Sequence, residues 1–361
     1  MGVAFAAPAF LWYNRRMNFR RIVFLAGLAS VAAWPVALCA APISGVGTDA
    51  RYATDAYPGF DSEDEILKPS KKEPKFFAFI YGPKKDNPAD QFEWSRQCES
   101  EGEWRAARKG YDALVREWPT SPEAVKAQKA YADLLLNHDL DYEDAFLEYR
   151  YLLDFYSSEC DFGAVADTMY KVAELMREEG KTIMFFRFSN TVDVRRAYEA
   201  VVLRAPGAKF VPQAMLTIAQ LREDEQKYAE AVQVYENLRS LRPDSPEAMT
   251  ALHREGKVRM KLLEMHGYNR DRVRDTIAFL RSALRGRLDD DVRTDFEAYL
   301  AKTVDMEAEE AYKAAKFYDS RTRTLRSAIT AYERFLKDYP SSSHADEVRA
   351  RIEILKEGKQ Q

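Results

Sequence analysis

The chain has 361 residues, of which 46% are hydrophobic and 31% charged, so it carries enough apolar material to form a folded core. The formal net charge is −4, and basic and acidic residues are mixed along the sequence. Nucleic-acid binding needs a concentrated basic surface. The charge pattern therefore excludes nucleic acid as the principal partner.

The first forty residues have the layout of a secretory signal peptide. They contain no acidic residue, and four arginines precede an apolar run over residues 22–33 and a stretch of mostly small residues at 37–41. A basic region, an apolar run and a processing site in this order are typical of exported proteins. Trp34 and Pro35 break the run before it reaches the ~20 residues of a membrane-spanning helix. We expect residues 1–40 to be removed and the mature chain to face the periplasm.

Two features of this region stay open. Met17 begins a more usual signal peptide than Met1, so either residue is the start. Cys39 lies where a bacterial lipoprotein signal places its lipidated cysteine, although Leu38 before it is not small. Lipidation at Cys39 and plain cleavage near Ala40 are the two alternatives. We expect contact with the membrane only through such a lipid anchor.

The mature chain offers little material for a catalytic or metal site. Two cysteines without close spacing, Cys98 and Cys160, do not make a metal site, and export permits a disulfide without requiring one. We expect both to be buried as small apolar residues. The histidines lack the spacing of a ligand set or a general base, and we expect no cofactor and no enzymatic activity. They are His138, His253, His266 and His344.

The sequence divides into an irregular part and a helical part. Residues 41–88 mix Gly, Pro, Asp and Lys without periodicity, which predicts a linker. From residue 89 to 361 the apolar spacing is helical. The acidic run at 139–144 has no glycine at the sixth position of a calcium loop, so it predicts a helix start, as does the run at 289–291.

One pattern recurs along the helical part. An apolar or aromatic residue is followed by a small residue at +3, an aromatic residue at +7 and a proline at +15. The full copies are Trp104, Ala107, Tyr111 and Pro119; Tyr228, Ala231, Tyr235 and Pro243; and Leu325, Ala328, Tyr332 and Pro340. Partial copies are Tyr142, Ala145 and Tyr149; Thr191, Val194, Tyr198 and Pro206; and a weaker one at Val273, Thr276 and Leu280.

These offsets place side chains on one face of a helix, so that Trp104, Ala107 and Tyr111 form a single stripe. The small residue lets a neighbouring helix approach, and the aromatic residue fills the space beside it. The Ser-Pro-Glu sequences at Ser121 and Ser245 predict the N-cap and first turn of the next helix. Because the stripe of one hairpin is buried only against the next hairpin, we predict an all-α solenoid of about five to six helical hairpins.

The order of small residue, aromatic residue and proline at these offsets resembles the tetratricopeptide repeat. More closely, the chain resembles the BamD-type outer-membrane assembly lipoproteins through residues 101–122, 162–181 and 197–214, followed by the copy at Tyr228. The likeness covers roughly residues 90–350. It implies a tetratricopeptide fold and a role in inserting barrel proteins into the bacterial outer membrane. It also implies that other barrel-assembly components are the partners.

An aromatic cluster interrupts the third hairpin. Phe185, Phe186 and Phe188 fall between its two helices, where a polar turn would suffice. Such a cluster either closes the core or anchors a partner, because large apolar patches outside a core usually mark contacts. Both interpretations stay open.

The sequence therefore predicts a protein-binding scaffold of the bacterial envelope, with outer-membrane protein assembly as the leading function. The alternative is a general periplasmic adaptor in envelope or cell-wall organisation, with the same fold and another partner. A third hypothesis is an envelope enzyme whose site the sequence does not reveal.

The processing of the amino terminus is directly measurable. We expect an intact mass that corresponds to a chain beginning near residues 39–41. Lipid at Cys39 adds acyl mass and carries the protein into the membrane fraction, whereas plain cleavage leaves a product without acyl mass. An uncleaved protein in the cytoplasm would contradict both versions.

Overall fold

The computed structural model describes Phe60 and residues 82–182, 190–321 and 325–357. All of them belong to one of two compact units of the chain, Gly45–Gln361. The described ranges contain helices and connections but no strand, which confirms the all-α prediction. The predicted signal peptide with Cys39 lies outside the described residues. So does the aromatic cluster of Phe185, Phe186 and Phe188.

The described residues form thirteen α-helices in hairpin order. A π-helical turn, Leu135–Asp139, extends the third. The helices are α1 Pro88–Ser100, α2 Trp104–Glu117, α3 Pro122–Leu134, α4 Tyr142–Phe155, α5 Phe162–Thr182, α6 Asn190–Arg204, α7 Val211–Asp224, α8 Tyr228–Leu241, α9 Pro246–His266, α10 Arg270–Leu284, α11 Asp290–Arg321, α12 Leu325–Asp338 and α13 Ala345–Glu357.

Each helix packs on the next one along the chain. The odd-numbered helices are the first helices of hairpins, and the even-numbered ones are the second helices. First helices also contact each other across one hairpin: α1 with α3, α7 with α9, and α9 with α11. This arrangement of six hairpins followed by α13 buries each hairpin against its neighbour.

The predicted helix starts are found, but the two serine caps work differently from the prediction. Ser121 and Ser245 occupy N-cap positions before a first-turn proline, yet neither side chain makes a capping hydrogen bond. The backbone carbonyl of Ser121 instead accepts from Ala124 N–H at 3.0 Å, so the donor that the hydroxyl would reach is already satisfied. Asp141 does cap α4 with its side chain.

The repeated small and aromatic residues lie inside the hairpin stack. Trp104 differs from the predicted stripe because it is 38% exposed. It is the first residue of α2, and its ring lies 4.6 Å from the exposed ring of His138, at the edge of the stack rather than between helices. Leu325 is exposed as well, because it is also the first residue of its helix, α12. The buried repeat residues are Ala107, Tyr111, Ala145, Tyr149, Val194, Tyr198, Tyr228, Ala231, Tyr235, Val273, Thr276, Leu280, Ala328 and Tyr332.

The long helix α11 belongs to two neighbouring cores. Phe296, in its first half, packs with Leu280 of α10, and its ring lies so close to Gly256 of α9 that a Cβ there would be 2.5 Å away. Tyr312, in its second half, packs instead with residues of α12 and α13. With 32 residues, α11 is more than twice as long as α12. Along α11, the boundary between the two cores lies near residue 307.

Ala231 tests the packing of the stack. It is fully buried in α8, so Ala231→Trp should destabilise the protein by about 1–3 kcal/mol through overpacking. Ala229→Trp, at an exposed position of the same helix, should change the free energy of unfolding by less than about 0.5 kcal/mol. Thermal and denaturant unfolding measure both. Equal effects of the two substitutions would show that the register of α8 is wrong.

Candidate protein-binding surfaces

The tyrosine of the repeated pattern closes each of four hairpins in the same way. Its ring is buried, and its hydroxyl donates a hydrogen bond to a carboxylate in the second half of the first helix of the same hairpin. A buried hydroxyl without a partner would destabilise the fold, so these acids satisfy the tyrosines. The pairs are Tyr111 with Glu99 at 2.6 Å, Tyr149 with Asp133, Tyr235 with Glu223, and Tyr332 with Asp319 at 3.2 Å.

This environment keeps the tyrosines neutral. Burial raises the pKa of Tyr111 above its ordinary value, and the hydrogen bond to Glu99 raises it further. Burial likewise raises the pKa of Tyr332 to about 12, with a contribution from the nearby charge of Asp319. A neutral hydroxyl remains a donor at every physiological pH.

In two hairpins an arginine of the following first helix joins the pair. Arg254 of α9 donates to Glu223 at 3.4 Å, and Arg351 of α13 donates to Asp319 through Nε at 2.7 Å and Nη2 at 3.1 Å. The bidentate contact of Arg351 lowers the pKa of Asp319. We call these groups the tyrosine–acid–arginine links. Each one joins the two helices of a hairpin to the first helix that follows.

Further polar contacts join the first helices of the C-terminal hairpins. His253 of α9 lies 2.8 Å from a carboxylate oxygen of Asp295 in α11, and Lys302 of α11 donates to Glu264 of α9 at 2.6 Å. His344, directly before α13, lies 2.6 Å from Glu309 of α11. Polar side chains thus hold neighbouring first helices side by side over α9, α11 and α13.

The solvent-facing side of these first helices is the first candidate binding surface. α9 exposes two large apolar side chains near its two ends, Met249 and Met265, which are 38% and 53% exposed. Exposed Lys257 and Lys261 lie on the same helix. Flexible methionines beside charged groups suit the recognition of polypeptides. We call this side of α7, α9, α11 and α13 the first-helix face.

The second candidate is a groove of about 750 Å³ between α8, α9 and α10. Glu255 of α9 is fully buried beside it, and burial raises the pKa of this carboxyl above its ordinary value. Arg239 donates to Glu255 at 2.9 Å and Arg259 at 2.8 Å. Both guanidinium groups also lie over the ring of Phe279, 5.4 and 4.8 Å from its centroid. Both arginines therefore make contacts that join α8, α9 and α10.

A buried ion-pair network joins α6 and α7, and no local sequence motif indicates it. Arg195 donates to Glu199 and to Glu225, each at 2.7 Å, and Arg222 lies 3.3 Å from Glu199. Arg195, Glu199 and Arg222 are nearly or fully buried. Mutual pairing offsets the large penalty for desolvating these charges. The network therefore lies in the interior between the two helices, and its edge at Glu230 reaches solvent.

The histidines and cysteines considered for a catalytic or metal site lie on different helices and connections. His138 and His266 lie at helix ends, whereas His253 and His344 lie between helices. Cys98 is buried, Cys160 is half-buried, and both are free thiols. Within the described ranges, no group of His, Cys, Asp or Glu is arranged to hold a metal ion. None of the helices in those ranges has the length and hydrophobicity to span a bilayer.

A family model described as a tetratricopeptide repeat matches residues 213–245 and 311–342. The first stretch covers α7 and α8, and the second covers the second half of α11 together with α12. Each contains one tyrosine–acid pair. The hairpins of this chain are thus tetratricopeptide-like repeats.

The solved structures that match this chain are distant from it in sequence. A tetratricopeptide repeat protein from Parabacteroides merdae is 13% identical over 74% of this chain and 98% of its own, with a TM-score of 0.28. Kinesin light chain repeats from Podosopora anserina are 10% identical over 77% and 100%, with a TM-score of 0.20. No curated protein matches the chain.

The link at Asp319 gives a prediction about pH. Because its folded-state pKa is lowered, Asp319 stabilises the fold above ~3.9, the ordinary value for aspartate, and this contribution is lost as the pH falls. Arg351→Gln should therefore lower the Tm at pH 7, and the difference from wild type should shrink at pH 3.

Arg349→Gln is the matched control for this prediction. Arg349 lies on the same helix but pairs with an exposed Asp346, so its loss should change the Tm little at either pH. Thermal unfolding of the three proteins provides the comparison. A Tm difference for Arg351→Gln that is independent of pH would contradict the role of the Asp319 carboxylate.

Proposed function

We propose that this chain is a protein-binding scaffold of the bacterial envelope and that it works in outer-membrane protein assembly. The observation that carries the proposal is the first-helix face, where consecutive first helices are held together by ion pairs and hydrogen bonds. A surface that is already ordered loses little conformational entropy when a partner binds. Stacked hairpins offer such a surface over several repeats.

The chemistry of this face favours polypeptides as ligands. The face combines the exposed methionines of α9 with lysines and with acids that already have partners, such as Glu264 and Asp295. Mixed charges around a few apolar side chains are typical of protein interfaces with a polar rim. A scaffold needs no reacting group at this place, so we propose a binding role rather than a catalytic one.

The envelope part of the proposal rests on the sequence. The signal-like layout of residues 1–40 supports export. The resemblance of residues 101–122, 162–181 and 197–214 to the BamD-type lipoproteins supports barrel assembly as the process. A lipid at Cys39 would hold the scaffold at the membrane where that process occurs.

Site-specific crosslinking in cells tests this function. A photo-crosslinking residue at Met249 or Met265 should capture barrel-assembly proteins from the envelope, and one at the exposed Lys109 of α2 is the control. Capture that is equal at all three positions, or that occurs only with cytoplasmic proteins, would contradict the proposal.

The aromatic cluster between α5 and α6 gives a second test of partner binding. If it anchors a partner, Phe185→Ser with Phe186→Ser should abolish partner capture and leave the Tm nearly unchanged, because an exposed aromatic contributes mainly to binding. If it closes the core, the same change should lower the Tm, as the loss of buried phenylalanines destabilises by about 3–5 kcal/mol each. Phe155→Ser, at a 43% exposed position of α4, is the control. Capture that survives with the fold intact would rule out the anchor.

A further inference from the structure

A third surface lies near the end of the described chain. It is a groove of about 860 Å³ between the second half of α11 and α12, and we call it the C-terminal groove. Small or aromatic side chains form its floor and ends, and charged side chains form its rim. Residues that line it include Tyr268, Ala311, Ala314, Tyr318, Ala331 and Tyr339.

The position of α10 explains why this groove is open. α10 packs along the first half of α11, where Val273 and Ile277 meet Tyr299 and Leu300. α12 packs along the second half of α11. Only the first two turns of α10, with Arg270 and Arg274, reach the C-terminal groove. The groove beside α8 differs, because residues from nearly the whole length of both α8 and α10 line it.

The lining has the spacing of two helix faces. On α11 the lining residues Glu307, Ala311, Ala314 and Tyr318 recur every three or four positions, as they do on α12 from Ser327 to Asp338. Eleven residues of helix correspond to about 16 Å. Small side chains in the middle of both faces let a third backbone approach closely. The groove therefore has the size and floor to receive about three turns of an α-helix.

The charges on the rim favour a bound helix that carries acidic residues at its ends. Glu307 and Asp338 already pair with Arg274 and Arg334, at 3.3 and 3.7 Å, and Glu310 pairs with Lys313. Among the described residues, Arg270 and Arg326 form no ion pair, and both are exposed. Arg326 lies near Tyr318 at one end of the groove, and Arg270 lies near the other end beside Tyr268.

We infer that the C-terminal groove binds an amphipathic helix of a partner protein. The helix has about three turns, small or aliphatic side chains on one face, and an acidic residue at each end, about eleven residues apart. This inference rests on the proposed scaffold function and specifies one class of ligand. It concerns a different surface from the first-helix face, so the two are testable separately.

A synthetic peptide tests the charge requirement. The probe is a capped, helix-forming peptide with leucines at every third or fourth position and glutamates at both ends, titrated against the full chain by fluorescence anisotropy. Arg270→Glu with Arg326→Glu should raise its Kd about tenfold or more. The same variant should bind a peptide with terminal lysines more tightly than wild type does. Arg105→Glu with Arg281→Glu, two exposed arginines outside the groove, should change either Kd by less than about twofold.

A second pair of variants tests the floor of the groove. Ala314→Phe fills an exposed position on the floor and should abolish binding of the glutamate peptide without lowering the Tm. Ala301→Phe, exposed on the same helix outside the groove, should leave binding unchanged.

Three outcomes would overturn the inference. The first is the absence of peptide binding to wild type at peptide concentrations up to about 1 mM. The second is equal binding of the two peptides to wild type. The third is a wild-type dimer that Ala314→Phe converts to monomer, which would identify a second copy of this chain as the occupant. In each case, crosslinking at the first-helix face still decides the proposed function independently.

Discussion

A tyrosine side chain is stable between packed helices only when its hydroxyl has a partner, and this requirement determines how the hairpins of this chain close. Tyr111, Tyr149, Tyr235 and Tyr332 each donate to an acid of the preceding helix. The acid must lie in the second half of that helix, at the height of the tyrosine on the antiparallel one. The hydrogen bond thereby fixes the alignment of the two helices along their axes, while the buried alanines set their separation.

The acids that close the hairpins also position the helices of the binding surface. Glu223 and Asp319 use their remaining oxygen capacity to accept from Arg254 and Arg351 of the next first helix, so one carboxylate sets both the shape of a hairpin and its position against the next. First helices positioned in this way present a continuous polar face with a few exposed apolar side chains. The surface available to a partner is thus a direct product of the contacts that hold the repeats in order.

The sequence predicted the hairpins because their signals are local. The fixed offsets at Ala107, Ala231 and Ala328 identify helix faces, and the acidic run at 289–291 identifies a helix start. The tyrosine–acid–arginine links escaped prediction because acid and arginine lie 12 to 19 residues from the tyrosine, and their meeting depends on the phase of three helices. The C-terminal groove escaped for a related reason. The groove depends on how far along α11 the contact with α10 extends. That extent is set by the packing of the two helices and not by any local motif.

The length of α11 has a consequence for how this end of the molecule unfolds. In a regular repeat array each hairpin has its own helices, so stability is approximately a sum of the contributions of single repeats and of the interfaces between neighbours. Here Phe296 and Tyr312 belong to different cores but to one uninterrupted helix. Because α11 is a wall of both cores, its unfolding dissolves both at once. We therefore expect fraying from the carboxyl end to release α13 and α12 and to stop at α11.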